Sequence, residues 1–169
     1  MELEDEQKIA FDKYINGDNI FITGPGGTGK THLIKHIVKD AKNKNRELKV
    51  CALTGCAAIL LMCGAITLHR FAGIGLATGT IKEVVQRVIK NRYKRANWST
   101  IDLLIVDEVS MLSLKLFKIL DIIGRIIRKK HDVPFGGIQI IFSGHFFQLP
   151  PGGDEDDPES QMFCFETDI

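Results

Sequence analysis

The residues best suited to chemistry form the run Gly24-Pro25-Gly26-Gly27-Thr28-Gly29-Lys30-Thr31, which fits the pattern G-x-x-x-x-G-K-[ST]. The apolar stretch Ile20–Ile22 precedes this run, and a segment with helical character, His32 to Lys44, follows it. Glycines let successive backbone N–H groups turn towards one anion, and the helix N-terminus adds positive potential. Lys30 is expected to reach the β/γ-phosphates, and the Thr31 hydroxyl to hold Mg²⁺. A glycine-rich turn without a ligand is the alternative, but the strand–loop–helix context favours a nucleoside triphosphate site.

A second candidate site is the acidic pair Asp107-Glu108, which follows the apolar stretch Leu103–Val106. A strand here would deliver both carboxylates to the carboxyl edge of a parallel sheet, where ligands bind in open α/β folds. Asp107 suits the Mg²⁺ shell, through water, and Glu108 suits polarisation of the water that attacks the γ-phosphate. Taken alone, such a pair is typical of a solvated turn. Its position about 75 residues after the glycine-rich loop indicates the acidic strand of a nucleotide site instead.

The third candidate is the segment from Gly144 to Pro151, which follows another apolar stretch. It contains Gln148, whose neutral amide can donate a hydrogen bond to the γ-phosphate and lose it on hydrolysis. Gln148 is therefore a candidate sensor of the nucleotide state. In isolation it would be read as an ordinary loop residue.

Alternating strands and helices are predicted to position these groups. The strand candidates are short and almost continuously apolar, as parallel strands covered on both faces are. They are Asn19–Thr23, Leu48–Leu53, Ile101–Asp107 and Ile138–Ser143. The clearest helix runs from Leu112 to Ile127, with a wet stripe of Lys115, Lys118, Asp121, Arg125 and Arg128 opposite an apolar face. This alternation predicts an α/β three-layer sandwich around a mostly parallel β-sheet.

Composition sets the remaining limits on the kind of protein. The 169 residues suit one domain, with 44% hydrophobic residues and a net charge of +1. No apolar run approaches the roughly 18 residues of a membrane span, so no membrane partner is expected. The four cysteines form no C-x-x-C pair and are interpreted as buried thiols in a reducing, intracellular compartment. Residues 152–160 contain an acidic run that predicts a solvated loop or tail.

The ordered blocks along the chain resemble the Pif-type and RecD-like DNA helicases of superfamily one. The blocks are Gln7, GPGGTGKT, LTGCAA, TLHRFAGIG, LLIVDEVSM, FGGIQIIFSG and FFQLPP. The resemblance covers almost the whole chain and implies the first RecA-like motor domain of a 5′ to 3′ helicase, which hydrolyses Mg·ATP to unwind DNA in repair, recombination or replication. It implies that Gln7 reads adenine. It also implies that Lys30, Glu108 and Gln148 serve catalysis.

The same resemblance implies contacts with single-stranded or forked duplex DNA. The matching positions are Thr54, Gly55, Thr67, His69 and Phe71. Hydroxyls and backbone N–H groups can hold phosphates, and rings can stack on bases. Phe71 is equally compatible with a place in the core. The basic segment Lys82–Arg95, read as one helix near Tyr93 and Trp98, lines a nucleic-acid path or is simply a solvated face.

Two departures from the family pattern qualify this interpretation. His145 stands where the family has Asp, in a block otherwise matching G-D-x-x-Q-L-P-P. The family also continues beyond the position of Ile169 into a second RecA-like domain, which carries an arginine finger. The chain is therefore read either as the first motor domain of a monomeric helicase or as a non-catalytic ATP- or DNA-binding fragment. A nucleotide hydrolase acting on protein partners is disfavoured by the blocks after Thr54.

Overall fold

Five parallel strands form the centre of the molecule in the computed structural model, which describes residues 2–24, 29–61, 64–145 and 156–161. The strands are β1 (Ile20–Thr23), β2 (Leu48–Ala52), β3 (Ile66–Thr67), β4 (Leu103–Asp107) and β5 (Gln139–Gly144). Their order in the sheet is β1-β5-β4-β2-β3. The predicted α/β fold and all four predicted strands are confirmed. The short edge strand β3 was not predicted, because two residues leave no periodic signal.

Helices cover both faces of this sheet. They are α1 (Asp5–Ile15), α2 (Lys30–Asn43), α3 (Gly55–Leu61), α4 (Leu68–Ala72), α5 (Ile81–Ile89), α6 (Arg92–Thr100), α7 (Leu114–Ile127) and α8 (Pro158–Gln161). One apolar cluster joins the sheet to α1, α2 and α3, and a second joins it to α4, α5, α6 and α7. The predicted three-layer arrangement follows from these two clusters. In the part of the chain that is described, no helix is both long and apolar enough to cross a membrane.

The central strands show why apolar runs give this fold. All six residues of β5 are buried, as are the first four of β4, because helices pack on both faces of each strand. Alternate residues then serve opposite layers: Leu103 and Ile105 join the cluster of α1 and α2, while Leu104 and Val106 join that of α7. The carboxyl ends of β1, β4 and β5 therefore meet at one edge of the sheet.

The basic segment read as one helix, Lys82–Arg95, is two helices, and that prediction was wrong. Helix α5 ends at Ile89, and Asn91 starts α6 by accepting hydrogen bonds from the backbone of Tyr93 and Lys94 at 3.0 and 3.2 Å. An asparagine oxygen in this position satisfies backbone donors that a continuous helix would have paired internally. The break separates the cations of the segment into two groups.

One residue of the predicted solvent-exposed stripe of α7 is buried, and that part of the prediction was wrong: Asp121 is only 4% exposed. Its carboxylate accepts hydrogen bonds from Arg125 Nε at 2.9 Å and from the backbone of Phe135 at 2.7 Å. A buried carboxylate needs such partners, because ionised groups lose hydration in the interior. Its charge therefore holds the segment that leads into β5 against α7.

The two described cysteines differ in burial. Cys51 is buried, which raises the pKa of its thiol to about 12, whereas Cys56 is exposed. The prediction of buried thiols is thus wrong for Cys56, and Cys63 and Cys164 lie outside the described residues.

Within the acidic segment, Asp157 and Glu159 form ion pairs with Lys115 and Lys118 of α7. The described part of that segment is therefore docked on α7.

Candidate nucleotide site

The glycine-rich loop joins β1 to α2, as the sequence predicts. Gly29 begins α2 with a positive φ of 80°, which favours glycine. A Cβ at this position would also lie 2.3 Å from Nε2 of Gln7, so a side chain there would displace the Gln7 amide. Pro25, Gly26, Gly27 and Thr28 lie outside the described residues.

Lys30 closes the loop from the first residue of α2. Its Nζ donates a hydrogen bond to the carbonyl of Gly24, at 2.6 Å, so the ammonium spans the loop from end to start. A phosphate oxygen placed here would offer a charge-assisted partner, which is stronger than a neutral carbonyl. Thr31 follows on the first helical turn with an exposed side chain. The two side chains assigned to phosphate and metal therefore lie together at the N-terminus of α2.

A cavity of about 330 Å³ opens beside this loop, between α1 and α2. Gln7 of α1 lines it together with Phe21, Gly24 and Lys30. Its Nε2 donates to the carbonyl of Gly29 at 3.2 Å, and its Oε1 accepts from the backbone of Glu4 at 3.0 Å. The structure thus brings the predicted adenine-reading amide to the end of the phosphate loop, where α2 begins. The cavity volume falls in the range of roughly 300–1,000 Å³ typical of small-molecule sites.

Two buried side chains fix α1 in this position, and sequence reasoning did not single them out. Gln139 of β5 donates through Nε2 to the carbonyls of Tyr14 and Asp18, at 3.0 and 2.9 Å. The hydroxyl of Tyr14 donates to Asp40 of α2 at 2.8 Å. A glutamine inside an otherwise apolar strand was the available signal. These contacts anchor the helix that carries Gln7 to both the sheet and α2.

The acidic pair lies where the sequence predicts, at the carboxyl end of β4. Asp107 shares its face of the strand with Leu103 and Ile105, which pack with α2, so its carboxylate projects on the side of the phosphate loop. Glu108 adopts the left-handed conformation, with φ 60° and ψ 39°. Non-glycine residues there carry a conformational cost, and such positions cluster at functional sites. Glu108 therefore adopts a backbone conformation that is uncommon for residues other than glycine, directly after Asp107.

The end of β5 completes this edge of the sheet. A Cβ on Gly144 would lie 3.1 Å from the backbone nitrogen of Val109, so the strand passes close beneath the turn after Glu108. Next to it, Oγ of Ser143 and Nδ1 of His145 are buried and have no hydrogen-bond partner among the described residues. Gln148 lies outside the described residues. Buried polar atoms of this kind require an explanation in a native structure, such as a water, an ion or a ligand.

Thr31 and Asp107 supply a donor set that fits Mg²⁺, the metal that the sequence implies. Mg²⁺ takes oxygen ligands, uses few protein carboxylates and retains several waters. One hydroxyl and one carboxylate match that preference, and phosphate oxygens and water would complete the shell. Over the described ranges, no cluster of three or more His, Cys, Asp or Glu forms a self-sufficient metal site. The metal would therefore bind together with the nucleotide.

The residues implied to contact DNA divide into two groups. Thr54 and Thr67 use their hydroxyl oxygens to accept from the backbones of Ala57 and Arg70, at 3.2 and 3.3 Å, and so begin α3 and α4. Gly55 is exposed at the start of α3. His69 is partly buried, and desolvation lowers its pKa. Thr54 and Gly55 follow β2, while Thr67 ends β3 and His69 follows it, all on the same edge of the sheet as the phosphate loop.

Phe71 does not belong with them, and its interpretation as a base-stacking residue is corrected. Its side chain is fully buried and its ring lies 5.2 Å from that of Trp98. The indole of Trp98 donates to the carbonyl of Ala72 at 3.2 Å, which fixes the pair. Phe71 is therefore a core residue that holds α4 against α6.

The fold and this edge define a phosphate-loop nucleotide-binding domain of the α/β class, and comparison with known proteins gives the family. The family model described as PIF1-like helicase matches residues 2–166. The ATP-dependent DNA helicase PIF1 of Saccharomyces cerevisiae is 44% identical over 98% of this chain, which spans 19% of that protein. The chain belongs to the PIF1-like helicase family.

Solved structures agree with this assignment. The Pif1 helicase from Candida albicans matches with a TM-score of 0.87 and 35% identity, over 99% of this chain and 37% of that one. A Pif1 helicase from Bacteroides, crystallised with ADP-AlF3 and ssDNA, matches with a TM-score of 0.81 and 31% identity, over 100% of this chain and 39% of that one. The chain thus corresponds to less than half the length of each of these relatives.

Proposed function

We propose that this chain is the first motor domain of an ATP-dependent DNA helicase of the 5′ to 3′ type. The observation that carries the proposal is the carboxyl edge of the sheet, where Lys30 follows the loop after β1, Asp107 and Glu108 stand at the end of β4, and a cavity beside the loop is lined by Gln7 and Lys30. The proposal is supported by a Bacteroides Pif1 helicase, which was crystallised with ADP-AlF3 and single-stranded DNA.

The proposed chemistry assigns a separate role to each group. Lys30 and the backbone of the glycine-rich loop hold the β/γ-phosphates, while Gln7 contacts adenine. Thr31 and Asp107 hold Mg²⁺, which neutralises charge on the phosphate oxygens when bound. Glu108 orients and polarises the attacking water, and Gln148 senses the γ-phosphate. Single-stranded or forked DNA contacts the same edge at Thr54, Gly55, Thr67 and His69.

A second motor domain is part of this proposal. An arginine finger accelerates phosphoryl transfer by roughly 10³–10⁵. In this proposal that group comes from the second RecA-like domain. The 169-residue chain alone is therefore expected to bind Mg·ATP while hydrolysing it slowly.

A non-catalytic fragment is the second candidate, and His145 is the observation that favours it. An imidazole lacks the negative charge of a carboxylate, whereas the family's carboxylate would accept hydrogen bonds from metal-bound water. If His145 already prevents hydrolysis, removal of the Glu108 carboxylate cannot lower the ATPase rate any further. The two candidates therefore separate on one variant.

That variant is Glu108→Gln in the longest natural protein that contains this chain. It should lower the DNA-stimulated ATPase rate by about 10²–10⁴-fold, since general-base catalysis contributes about that much. Unwinding should be lost, while the Kd for Mg·ATP changes little. Glu47→Gln, an exposed glutamate far from the loop, is the matched control. Equal turnover by wild type and Glu108→Gln would contradict the helicase proposal and support the non-catalytic one.

A further inference from the structure

A groove of about 440 Å³ lies between α6 and the end of α7, away from the nucleotide site. Its floor is apolar, from Ile89, Ile126 and Ile127. Its rim carries three cations, Arg92, Arg95 and Lys129, and no acidic residue lines it. All three cationic side chains are exposed.

The groove lies at the amino edge of the sheet, opposite the nucleotide site. Arg128 shows this directly, because its Nη1 donates to the carbonyl of Ile101, at 2.9 Å, just before β4 begins. Asp107, the last residue of β4, lies six residues after Ile101. At about 3.3 Å per residue, that distance is about 20 Å along the strand. The groove and the phosphate loop are therefore separate surfaces.

Structural ion pairing does not account for these cations. Arg92, Arg95 and Lys129 appear in none of the ion pairs among the described residues, whereas Lys115 and Lys118 near the other end of α7 are paired with acids. Arg92 and Arg95 also lie in the first turns of α6, which have no acidic residue. Cations at a helix N-terminus oppose the helix dipole and cost stability there. The positive charge of the rim thus serves no described contact within the chain.

We propose that this groove is a second binding surface for single-stranded DNA, distinct from the edge that carries Thr54 and His69. Cationic side chains can bind the phosphate backbone of DNA without one fixed spacing, and this binding is favoured because it releases counterions from the DNA. The isoleucine floor suits the apolar faces of sugars and bases exposed in a single strand. A fully paired duplex shields its base faces, and an acidic peptide offers no such apolar counterpart.

The choice of DNA as the ligand rests on the proposed function, whereas the groove itself needs neither ATP nor hydrolysis. A single strand of DNA bound at both edges of the sheet would be contacted on two sides of the domain. The surface would then retain DNA in every nucleotide state. This separates its test from that of the helicase proposal, since Glu108→Gln should leave groove binding intact.

The test is fluorescence anisotropy of a labelled oligothymidylate titrated with the 169-residue chain at several salt concentrations. The groove variant combines Arg92→Ala, Arg95→Ala and Lys129→Asn; asparagine suits position 129, where φ is 55°. The control variant combines Lys13→Ala, Lys39→Ala and Lys42→Ala, which removes the same charge from exposed positions elsewhere. A charge-retaining variant, with Arg92→Lys and Arg95→Lys, checks that the groove tolerates substitution.

The groove variant should raise the Kd by about tenfold or more at low salt and reduce the slope of log K against log salt by about 2, for three lost phosphate contacts. The control and charge-retaining variants should stay close to wild type in slope, and all variants should bind Mg·ATP alike. Equal Kd and slope for the groove and control variants would overturn the proposal. Tighter binding of duplex than of single strand at the groove, or displacement of the oligonucleotide from it by polyglutamate, would also overturn it.

Discussion

The two edges of the sheet use polar residues in opposite ways. At the amino edge, polar groups before the strands bond to one another. Asp102 accepts from the backbone of Glu47 at 3.0 Å, and Asn19 accepts from the backbone of Ile140 at 2.8 Å. Gln139 donates to two carbonyls, although its Oε1 has no partner among the described residues. Most of these polar groups are already hydrogen-bonded, and their bonds hold the amino ends of the strands together.

At the carboxyl edge, polar groups remain available to a ligand. The buried atoms Ser143 Oγ and His145 Nδ1 lack partners in the described part of the chain. Glu108 occupies a costly left-handed conformation, and desolvation depresses the pKa of His69. The comparison indicates that the strand starts at the amino edge contribute mainly to stability, and the strand ends at the carboxyl edge mainly to nucleotide binding. Substitutions at the two edges should therefore affect different measurements.

The largest effect on stability is expected from Asp121→Ala. Removing this carboxylate leaves the backbone N–H of Phe135 buried without its partner and Arg125 without its counter-charge. Breaking a buried pair in this way costs about 3–5 kcal/mol in the free energy of unfolding. Chemical denaturation should report that loss, while Mg·ATP affinity per folded molecule stays unchanged.

Asp132→Ala provides the control for that measurement, since Asp132 is exposed in the neighbouring loop. Its effect should stay within about 0.5 kcal/mol, as for most surface substitutions. A loss below about 1 kcal/mol for Asp121→Ala would show that the buried pair does not hold the amino edge together.

A smaller effect is expected from His69, and it depends on pH. Burial lowers the folded-state pKa, so the unfolded chain binds more protons below its own pKa of about 6.5. The stability contributed by neutral His69 is present above about pH 6.5 and is lost as pH falls through the folded pKa. Denaturation of wild type and His69→Gln from pH 8 to pH 5 measures this. If the unfolding free energies of wild type and His69→Gln changed in parallel with pH, that result would contradict the lowered pKa of His69.

The sequence predicts best those features that depend on local pattern. The four longer strands follow from apolar runs, and the loop chemistry of Gly29, Lys30 and Thr31 follows from fixed spacing. The position of Asp107 beside that loop follows from the rule that parallel strands end at one edge. These features need no knowledge of which helices pack together.

Features that depend on tertiary packing were not predicted. Nothing local distinguishes a buried Phe71 from one exposed to bases, and its partner Trp98 lies 27 positions further along the chain. Asp121 fits a charged stripe by period, yet the loop of Phe135 covers it. By contrast, the break between α5 and α6 had a local signal in Asn91, a good residue with which to begin a helix. Charge periodicity concealed that signal.

The most direct test of the nucleotide site is calorimetric titration of the 169-residue chain and its Lys30→Ala variant with Mg·ATP. Loss of a charge-assisted hydrogen bond of about 1.5–3 kcal/mol should weaken binding by about 10- to 150-fold. Lys35→Ala, an exposed lysine on the same helix, should bind as the wild type does. The free energy of unfolding should be almost equal for all three chains. Equal ATP affinity of wild type and Lys30→Ala would contradict the assignment of this edge as the nucleotide site.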